Sequence, residues 1–421
     1  TDAEKMKAVN ELNCQTYHAK PLKRIYIEKF GKTEKRPLGI PTMRDRAMQA
    51  LQLLALEPVA ETTADRISFG FRKYRSPEDA REYAFRILSR KDSPQWILEG
   101  DIKSCFDKIS HEWMMEHIPT DKRILKEFMK CGYINKGKLY PTTEGSPQGG
   151  VISPTYANMV LDGMEPMILN VYWRSKVKKT FGVKYNSHKV HMVRFADDFI
   201  VTASDKETLE AIKQMLESFL RERGLTLSME KTVITHINSG FDFLGWNFRK
   251  FKGKLIIKPS SKSMRKVTKK ISEIIKNNRT TKQEILIQRL NQVLIGWANY
   301  HQGTCAKKCF GTIDNRTWKM LWKWAKRRHP NKKHQWIVDK YWKEYKGRRW
   351  AFRTEKSILF SMSDMPIVRK SQMALDKNAF LDKEYFQKRS QKHRQKRKMA
   401  MSSNNAAHIG IMRYRCVSGM Q

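Results

Sequence analysis

The sequence predicts an α+β domain followed by an all-helical one. Residues 1–257 mix short β-rich runs with amphipathic helices, whereas residues 262–346 form one helical pattern after another. Between them, residues 258–261 (KPSS) form a stretch of the kind that ends a strand and caps the next helix. No apolar run approaches the ~18 residues that a membrane span requires, so we expect no membrane association.

The charge balance indicates the partner. The chain has 421 residues, with 83 Lys and Arg against 42 Asp and Glu, a formal net charge of +41. Such an excess is typical of proteins that hold a polyanion through phosphate contacts, and neutral small substrates do not require it. Nucleic acid is therefore the expected partner. A purely disordered basic chain fits poorly, because 40% hydrophobic residues suffice for real cores.

Acidic residues interrupt the predicted strands at two places. An apolar strand over residues 96–100 (WILEG) ends on Asp101, where a carboxylate costs stability unless it binds something positive. Further along, an alternating run and a β-branched run flank residues 195–198 (FADD). We therefore expect a hairpin with Asp197 and Asp198 at its tip.

A helix is predicted directly after this hairpin. Ser204 and Glu207 have the spacing of a capping box, and Gly224 is positioned to end the helix. Its apolar stripe consists of Leu209, Ile212, Met215, Leu216, Phe219 and Leu220. Strand, acidic turn, strand and helix therefore follow in order.

The three carboxylates could act together. Adjacent aspartates are common in ordinary turns, so Asp197 and Asp198 alone leave a structural role open. The presence of Asp101 favours a catalytic role over a purely structural one, because three carboxylates from two neighbouring strands can hold two divalent cations ~4 Å apart. That arrangement activates a 3′-hydroxyl and neutralises pyrophosphate in nucleotidyl transfer. Hard oxygen ligands favour Mg²⁺, with Mn²⁺ as a possible substitute, over Zn²⁺.

The helical region combines apolar stripes with cations. Core positions are predicted at Leu290, Val293, Leu294, Trp297, Trp318, Leu321, Trp322 and Ala325. Lys323, Arg327 and Arg328 fall largely on other faces, where they are either simply solvated or in contact with RNA phosphates. A second group of tryptophans consists of Trp336, Trp342 and Trp350. These are interleaved with further cations and predict an RNA-contacting surface rather than a core.

The C-terminal part is dominated by positive charge. We expect residues 347–400 to bind RNA or DNA and assign no role to residues 401–421. Within the basic region, residues 388–398 begin with Lys388 and Arg389 and contain no acid. This segment should be solvated and mobile unless it binds phosphate.

The six cysteines are scattered and too few for a disulfide framework, which is typical of a reducing cytosol. Cys305 and Cys309 are the only close pair in the sequence. With His301 as the one nearby partner, they form a weak zinc signal.

Several motifs resemble, in the same order, those of bacterial group II intron-encoded reverse transcriptase/maturases. They are residues 36–41 (RPLGIP) with 45–46 (DR) and 68–72 (SFGFR) in the fingers, 101–106 (DIKSCF), 145–154 (GSPQGGVISP) and 195–198 (FADD) in the palm, 227–232 (LSMEKT) and 243–246 (FLGW) in the late palm and primer grip, and 296–301 (GWANYH) in the thumb. The resemblance covers about residues 20–345. It implies a right-hand polymerase, with fingers and palm over residues 1–257 and an α-helical thumb, or maturase, domain over residues 262–346.

The resemblance also implies roles for single residues. Asp101, Asp197 and Asp198 would bind two Mg²⁺ ions, and Lys231 would be the catalytic lysine that protonates pyrophosphate. RNA-binding residues would be Lys323, Arg327, Arg328, Trp336, Lys388 and Arg389.

Four further residues would bind the incoming dNTP. Lys29 and Arg36 match the fingers cations that grip the triphosphate. Gln148 would contact the nucleotide from a turn whose glycines allow close backbone approach. Phe106 would exclude a ribose 2′-hydroxyl, although a core aromatic between strand and helix is the alternative interpretation.

Two departures from the family pattern carry expectations of their own. Little of the usual segment before the fingers hairpin is present, so the N-terminal part looks incomplete. After residue 400 the sequence lacks the paired cysteines of the family's endonuclease domain, so we expect no DNA nicking.

The implied function is RNA-directed DNA synthesis, with binding of the intron RNA to assist splicing and support for intron mobility. Expected partners are group II intron RNA, an RNA template/DNA primer duplex, target DNA and dNTPs, in the bacterial cytoplasm and at the nucleoid. A splicing-only maturase with an unused polymerase site and an RNA-dependent RNA polymerase remain alternatives. The intact carboxylates and Gln148 argue against the first, and Phe106 favours a DNA product.

Overall fold

The computed structural model describes residues 1–10, 12–28, 35–146, 149–175, 184–345 and 347–404. The chain divides into two compact units. The first, which we call the sheet unit, contains Thr1–Phe241 and Gln372–Gln387. The second, the helical unit, contains Asp242–Ser371 and the described residues from Lys388 onward.

The boundary between the units lies at Phe241, whereas the composition change predicts it at residue 257. The reason is local packing. Trp246 stacks on Tyr300 with ring centroids 4.5 Å apart, and the Tyr300 hydroxyl donates a hydrogen bond to the Leu244 carbonyl oxygen at 2.8 Å. The strands that follow Phe241 therefore pack with the helices.

The sheet unit mixes strands and helices, which confirms the predicted α+β class. Its strands are β1 (Leu22–Glu28), β2 (Lys35–Ile40), β3 (Trp96–Asp101), β4 (Tyr133–Asn135), β5 (Lys138–Tyr140), β6 (Arg174–Ser175), β7 (Lys184–Tyr185), β8 (His191–Phe195), β9 (Asp198–Ala203) and β10 (Val233–His236). Its helices are α1 (Asp2–Asn10), α2 (Met43–Thr63), α3 (Pro77–Leu88), α4 (Cys105–Lys108), α5 (His111–His117), α6 (Lys122–Lys130), α7 (Ser153–Leu161), α8 (Met164–Tyr172) and α9 (Lys206–Arg221).

Two four-stranded sheets organise this unit. One has the strand order β10-β3-β9-β8, with every neighbouring pair antiparallel. Its β8–β9 hairpin is the one that the sequence predicts, and its register runs to the pair Phe195 and Asp198. The other sheet has the order β2-β1-β4-β5 and carries Arg36 on β2.

The helical unit begins within a small sheet of β11 (Phe241–Phe243), β12 (Trp246–Phe251) and β13 (Lys254–Pro259), of which Phe241 alone is counted in the sheet unit. Its other elements are α10 (Ser261–Asn277), α11 (Gln283–His301), α12 (Lys307–Arg328), α13 (His334–Tyr341), the hairpin of β14 (Trp342–Tyr345) and β15 (Arg348–Phe352), and a 3-10 turn over Met362–Asp364. The final helix, α14 (Lys383–Asn404), starts in the sheet unit's C-terminal segment and continues into the helical unit.

The core of the helical unit follows the predicted stripes. Leu290, Leu294, Leu321 and Ala325 are buried, with at most 1% of their surface exposed. The other predicted positions pack against this core while partly buried; they are Val293, Trp297, Trp318 and Trp322. No helix in the described part of the chain is long and apolar enough to cross a membrane.

Helix capping matches the sequence at one site and shifts at another. Ser260 caps α10 as predicted, by accepting a hydrogen bond from the Ser263 N–H at 3.1 Å. At α9 the cap is Asp205, which accepts from the Thr208 N–H at 2.8 Å, rather than Ser204. Both serine and aspartate satisfy helix N–H groups well, so the local pattern could not separate neighbouring candidates.

Residues 388–398 are helical, whereas the charge run predicts a mobile segment. The helix is held near its start. Phe386 is 3% exposed and stacks on Tyr74 within the sheet unit, with ring centroids 5.0 Å apart. Within the helical unit, Arg389 donates to the Ser371 carbonyl oxygen at 2.6 Å. Packing and hydrogen bonds thus order a segment whose composition alone indicates solvation.

Candidate active site and nucleic-acid interface

The predicted carboxylates converge at one edge of the β10-β3-β9-β8 sheet. Asp101 is the last residue of β3, and the antiparallel register places it directly opposite Asp198, the first residue of β9. Asp197 lies in the two-residue turn before Asp198, beside Ala196, whose φ is +56°. Two strand ends and one tight turn therefore bring together the three acids that were far apart in sequence.

Mutual repulsion and partial desolvation act on these acids. Asp198 is exposed at the start of β9, yet nearby protein atoms displace part of its water and raise its pKa to about 6, and the charges of Asp197 and Asp101 add to this rise. Desolvation also raises the pKa of Asp197, and the Arg36 guanidinium on β2 opposes that rise. The predicted fingers cation Arg36 is thus close enough to act on the acidic edge.

Lys231 supplies a positive charge at this edge. Its Nζ donates a hydrogen bond to Asp101 Oδ2 at 2.6 Å, and 53% of the lysine side chain is exposed. The backbone positions it, because the Ser228 N–H donates to the Asp101 carbonyl oxygen at 2.8 Å. Lys231 therefore lies beside the carboxylates, although 130 residues separate it from Asp101.

The residues present are chemically suited to divalent cations. Three carboxylates with two raised pKa values are stabilised by added positive charge, and hard oxygen donors suit Mg²⁺ or Mn²⁺. Within the described ranges, no three His, Cys, Asp or Glu side chains are gathered into a ready ion-binding cluster. An ion at Asp101 would have to compete with the Lys231 ammonium for the same oxygen.

The weak zinc signal in the sequence involves His301, Cys305 and Cys309. His301 is fully buried, and its Nε2 shares a hydrogen bond with Ser263 Oγ at 3.1 Å. Cys305 is exposed. In the part of the chain that the structure describes, these residues form no metal cluster.

A buried ion pair supports the acidic turn, and sequence reasoning missed it. Arg194 on β8 has no exposed surface and pairs with Asp162. Its Nη1 also donates to Asn158 Oδ1 at 3.3 Å, and the Asn158 amide donates to the Gly70 carbonyl oxygen at 2.8 Å. The available signal was an arginine directly before the acidic turn, in a strand whose alternating pattern did not distinguish it from a solvated residue.

The fingers motif at residues 68–72 packs against the acidic turn between β8 and β9. A Cβ on Gly70 would lie 2.4 Å from the Ala196 backbone nitrogen, so only glycine allows this approach. Arg72 forms a two-pronged ion pair with Glu61, with both N–H to oxygen distances 2.7 Å. The packing of this motif therefore fixes the position of the β8–β9 hairpin.

Phe106 lies at the start of α4 and is half-buried. Its ring contacts that of Phe71 edge-to-face, with centroids 6.4 Å apart. The Ser146 N–H donates to the Phe106 carbonyl oxygen at 2.6 Å, and a pocket of about 380 Å³ borders Phe106, Gly39 and Ser146. The phenylalanine ring is therefore partly open to a cavity rather than enclosed in a core.

Lys29 and Gln148 lie outside the described residues. The neighbouring Gly149 has φ +119°, and a Cβ there would lie 2.6 Å from the Gly39 carbonyl oxygen. This glycine allows close approach to the protein's own β2 strand, whereas the sequence interpretation assigns the close approach to a ligand.

The helical unit presents the predicted RNA-binding cations unequally. Lys323 and Arg327 are exposed on α12. Arg328 instead donates to the carbonyl oxygens of Arg279 and Thr281, at 3.1 and 2.9 Å, which leaves its charge less available to a ligand. In the basic C-terminal region, Lys388 is exposed, while Arg389 donates the hydrogen bond to the Ser371 carbonyl oxygen described above.

The tryptophans of this region also differ. Trp336 is 38% exposed, with the ammonium groups of Lys332 and Lys340 5.3 and 4.8 Å from its ring centroid. Trp350 is 43% exposed. The prediction that Trp342 contacts RNA is wrong, because Trp342 is 3% exposed within the hydrophobic core.

Two family models match the chain. The model described as "Reverse transcriptase (RNA-dependent DNA polymerase)" matches residues 27–248, and "Group II intron, maturase-specific domain" matches residues 264–342. The first covers the acidic edge and the second covers α11 and α12.

Curated relatives give the same picture. Protein YkfC of Escherichia coli K12 is 35% identical over 266 residues, which is 56% of this chain and 68% of that protein. Group II intron-encoded protein LtrA of Lactococcus lactis is 29% identical over 298 residues, covering 58% and 49%. The putative COX1/OXI3 intron 1 protein of Saccharomyces cerevisiae is 29% identical over 286 residues, covering 57% and 34%. The matches thus span about two thirds of the first relative and half or less of the others.

Proposed function

Because the chain belongs to the group II intron family of reverse transcriptases, with a maturase-specific domain, we propose that it synthesises DNA on an RNA template. The observation that carries the proposal is the strand register that sets Asp101 opposite Asp198, with Asp197 in the adjoining turn. The substrates are dNTPs and an RNA template annealed to a DNA primer. The polymerase chemistry belongs to the sheet unit.

The family uses divalent metal ions, and we propose two Mg²⁺ ions for this site, replaceable by Mn²⁺. Asp101, Asp197 and Asp198 would hold them. When bound, such ions make the primer 3′-hydroxyl a better nucleophile and neutralise the leaving pyrophosphate.

Other side chains have distinct tasks in this proposal. Lys231 is half exposed beside Asp101 and can deliver a proton to the leaving pyrophosphate. Arg36 contributes positive charge near Asp197, where a triphosphate would need it. Lys29 and Gln148 complete the dNTP site, and Phe106 excludes the 2′-hydroxyl.

Primer extension on an RNA template tests the polymerase proposal. Asp198→Asn keeps the side-chain size and removes the charge, so cDNA synthesis should fall by about a thousandfold or more. Asp205→Asn is the matched control, since asparagine caps a helix as well as aspartate and Asp205 lies outside the acidic edge. Full activity of Asp198→Asn with either metal ion would contradict the proposal.

We propose a second function, assistance to intron splicing, from the maturase-specific match and the exposed cations that it contains. Lys323 and Arg327 would contact phosphates of the intron RNA, and the exposed Trp336, which lies near Lys332 and Lys340, would also contact the RNA. Arg328 would contribute less because its guanidinium is engaged by the chain itself. The basic region, including Lys388 and Arg389, would hold target DNA or RNA during intron mobility.

Parallel assays separate the two functions. The double variant Lys323→Gln/Arg327→Gln should lose protein-dependent splicing of the cognate intron and retain primer extension on an unrelated template. Asp198→Asn should show the reverse. If Asp198→Asn, while folded, lost splicing as fully as cDNA synthesis, this division would be wrong.

The same assays distinguish the alternatives. A splicing-only maturase would show no primer extension in the wild type. An RNA-dependent RNA polymerase would incorporate rNTPs in preference to dNTPs, whereas our proposal requires the opposite preference.

A further inference from the structure

The helical unit contains a pocket of about 640 Å³ that neither proposed function uses. α12, the β14–β15 hairpin and the segment around the 3-10 turn contribute its walls. Its apolar lining includes Leu294, Phe352 and Phe360. The volume lies in the range of pockets that bind small molecules and cofactors, roughly 300–1,000 Å³.

One wall of the pocket is an array of parallel indole rings. Trp318 and Trp350 both line it, with ring centroids 6.0 Å apart and an interplanar angle of 8°. Trp322 continues the array on α12, at 5.9 Å and 7° from Trp318. The hydrophobic core covers Trp318 and Trp322 in part, whereas Trp350 is 43% exposed. The array therefore ends on Trp350, an indole ring with exposed surface, and stacking with another flat ring would be favourable there.

A second wall is rigid and acidic. Asp314 fixes the 3-10 turn against α12. Its Oδ2 accepts hydrogen bonds from the Ser363 N–H at 2.9 Å and from the hydroxyls of Ser363 and Ser361 at 2.7 and 3.2 Å, and its Oδ1 accepts from the Met362 N–H at 3.1 Å. Asn315 and Thr317 add neutral polar groups to the lining. A carboxylate among these groups disfavours a phosphate inside the pocket and favours a ligand edge that donates N–H groups.

The helix α12, which forms part of the pocket wall, has a net positive charge, opposite in sign to Asp314. α12 carries eight Lys and Arg against the single Asp314. Lys307 lies at the pocket itself, exposed, with its ammonium 2.8 Å from the Ser363 carbonyl oxygen. Phosphates are therefore attracted to the helix surface, while the aromatic and acidic interior suits an uncharged ring with amino groups.

From this juxtaposition we propose that the pocket binds one unpaired purine base of RNA, stacked on Trp350. The inference rests on the proposed binding of intron RNA and specifies how one nucleotide of it is held. Single-stranded loops and bulges can present a base face, whereas a paired A-form helix buries it. A purine offers the larger stacking surface.

Binding of RNA 12-mers to the full chain tests the proposal, with oligo(A), oligo(U) and a 12-base-pair duplex as probes. Wild-type protein should prefer oligo(A) to oligo(U). Trp350→Ala should weaken oligo(A) binding by about tenfold and leave duplex binding within twofold, because one stacking contact is lost. The dependence of affinity on salt should not change, since no cation is removed.

Trp350→Phe guards against a folding defect in the alanine variant. It should retain most of the oligo(A) affinity and reduce the quenching of tryptophan fluorescence on oligo(A) binding by the part that Trp350 contributes. Equal oligo(A) affinity of Trp350→Ala and wild type, equal loss on single strand and duplex, or a preference for oligo(dA) would each overturn the proposal.

The experiments distinguish a failure of the proposed intron RNA binding from a failure of the proposed base pocket. If Lys323→Gln/Arg327→Gln lowers RNA affinity and Trp350→Ala does not, RNA binding stands and the base pocket is wrong. If wild-type protein binds no RNA, both are wrong.

Discussion

The ion-paired arginines behind the acidic turn in the sheet unit and the predicted RNA-binding cations on α12 in the helical unit differ in their exposure. In the sheet unit, Arg194 pairs with Asp162 and Arg72 pairs with Glu61, and both arginine side chains are at most 6% exposed. In the helical unit, Lys323 and Arg327 extend into solvent from α12. Buried pairs fix geometry and are poorly screened by salt, whereas exposed cations attract phosphates over a distance that salt shortens. We infer that the sheet unit works through position and the helical unit through charge.

The largest effect that this comparison predicts is on folding. Arg194→Met leaves Asp162 buried without its partner, so the sheet unit should lose about 3–5 kcal/mol of unfolding free energy. Lys323→Met, at an exposed position, should change stability by less than about 0.5 kcal/mol. Urea denaturation of both variants measures the difference. Similar losses in the two variants would remove the contrast between the units.

A partly buried histidine, His191, should make the sheet unit sensitive to acid. Burial, aided by Arg86 and Arg90, lowers the pKa of His191 to about 4. A neutral imidazole of this kind contributes stability above its unfolded pKa of about 6.5, and that contribution falls by up to about 3 kcal/mol as the pH drops toward 4.

His191→Gln should therefore flatten the decline in unfolding free energy between pH 6.5 and 4. The control Lys323→Gln should keep the wild-type decline. Denaturant titrations at several pH values provide the test, and an unchanged acid profile in His191→Gln would refute the assignment.

The preference for dNTPs over rNTPs should depend on the position of the Phe106 ring and not on exposed charge. Phe106→Val opens space only where the 2′-hydroxyl would lie, so ribonucleotide incorporation should rise by about tenfold or more while dNTP use stays largely intact. Primer extension at two salt concentrations measures both, and the selectivity change should be the same in each. Unchanged selectivity would favour a packing role for Phe106.

The smallest effect concerns salt. Lys323→Gln/Arg327→Gln should reduce the slope of log affinity against log salt by about 1.4, or about 0.7 for each phosphate contact to single-stranded RNA. Arg328→Gln should change the slope less, because its own chain engages that guanidinium. Equal slopes in the double variant and wild type would show that α12 does not contact phosphate.

The sequence predicted the features that local patterns determine. An apolar strand ending on Asp101 and a hairpin with Asp197 and Asp198 at its tip are both present, because alternation and tight turns act over a few residues. The helical core stripes are present for the same reason.

Contacts between distant residues could not be read from local patterns. Arg194 looked like one more polar residue in an alternating strand, because periodicity does not distinguish a solvated arginine from one paired with Asp162. Trp342 looked like a surface tryptophan because cations follow it, yet alternation in a hairpin puts neighbours on opposite faces. The proximity of Lys231 to Asp101 came only from the family resemblance.

The return of Gln372–Gln387 to the sheet unit has a consequence for biosynthesis. Phe386, stacked on Tyr74, leaves the ribosome after the whole Asp242–Ser371 segment has been made. The N-terminal unit therefore cannot acquire its last packing contacts during its own translation. The sheet unit can complete its packing only after the downstream unit has been synthesised, so a chain that ends before residue 372 would contain a sheet unit without these contacts.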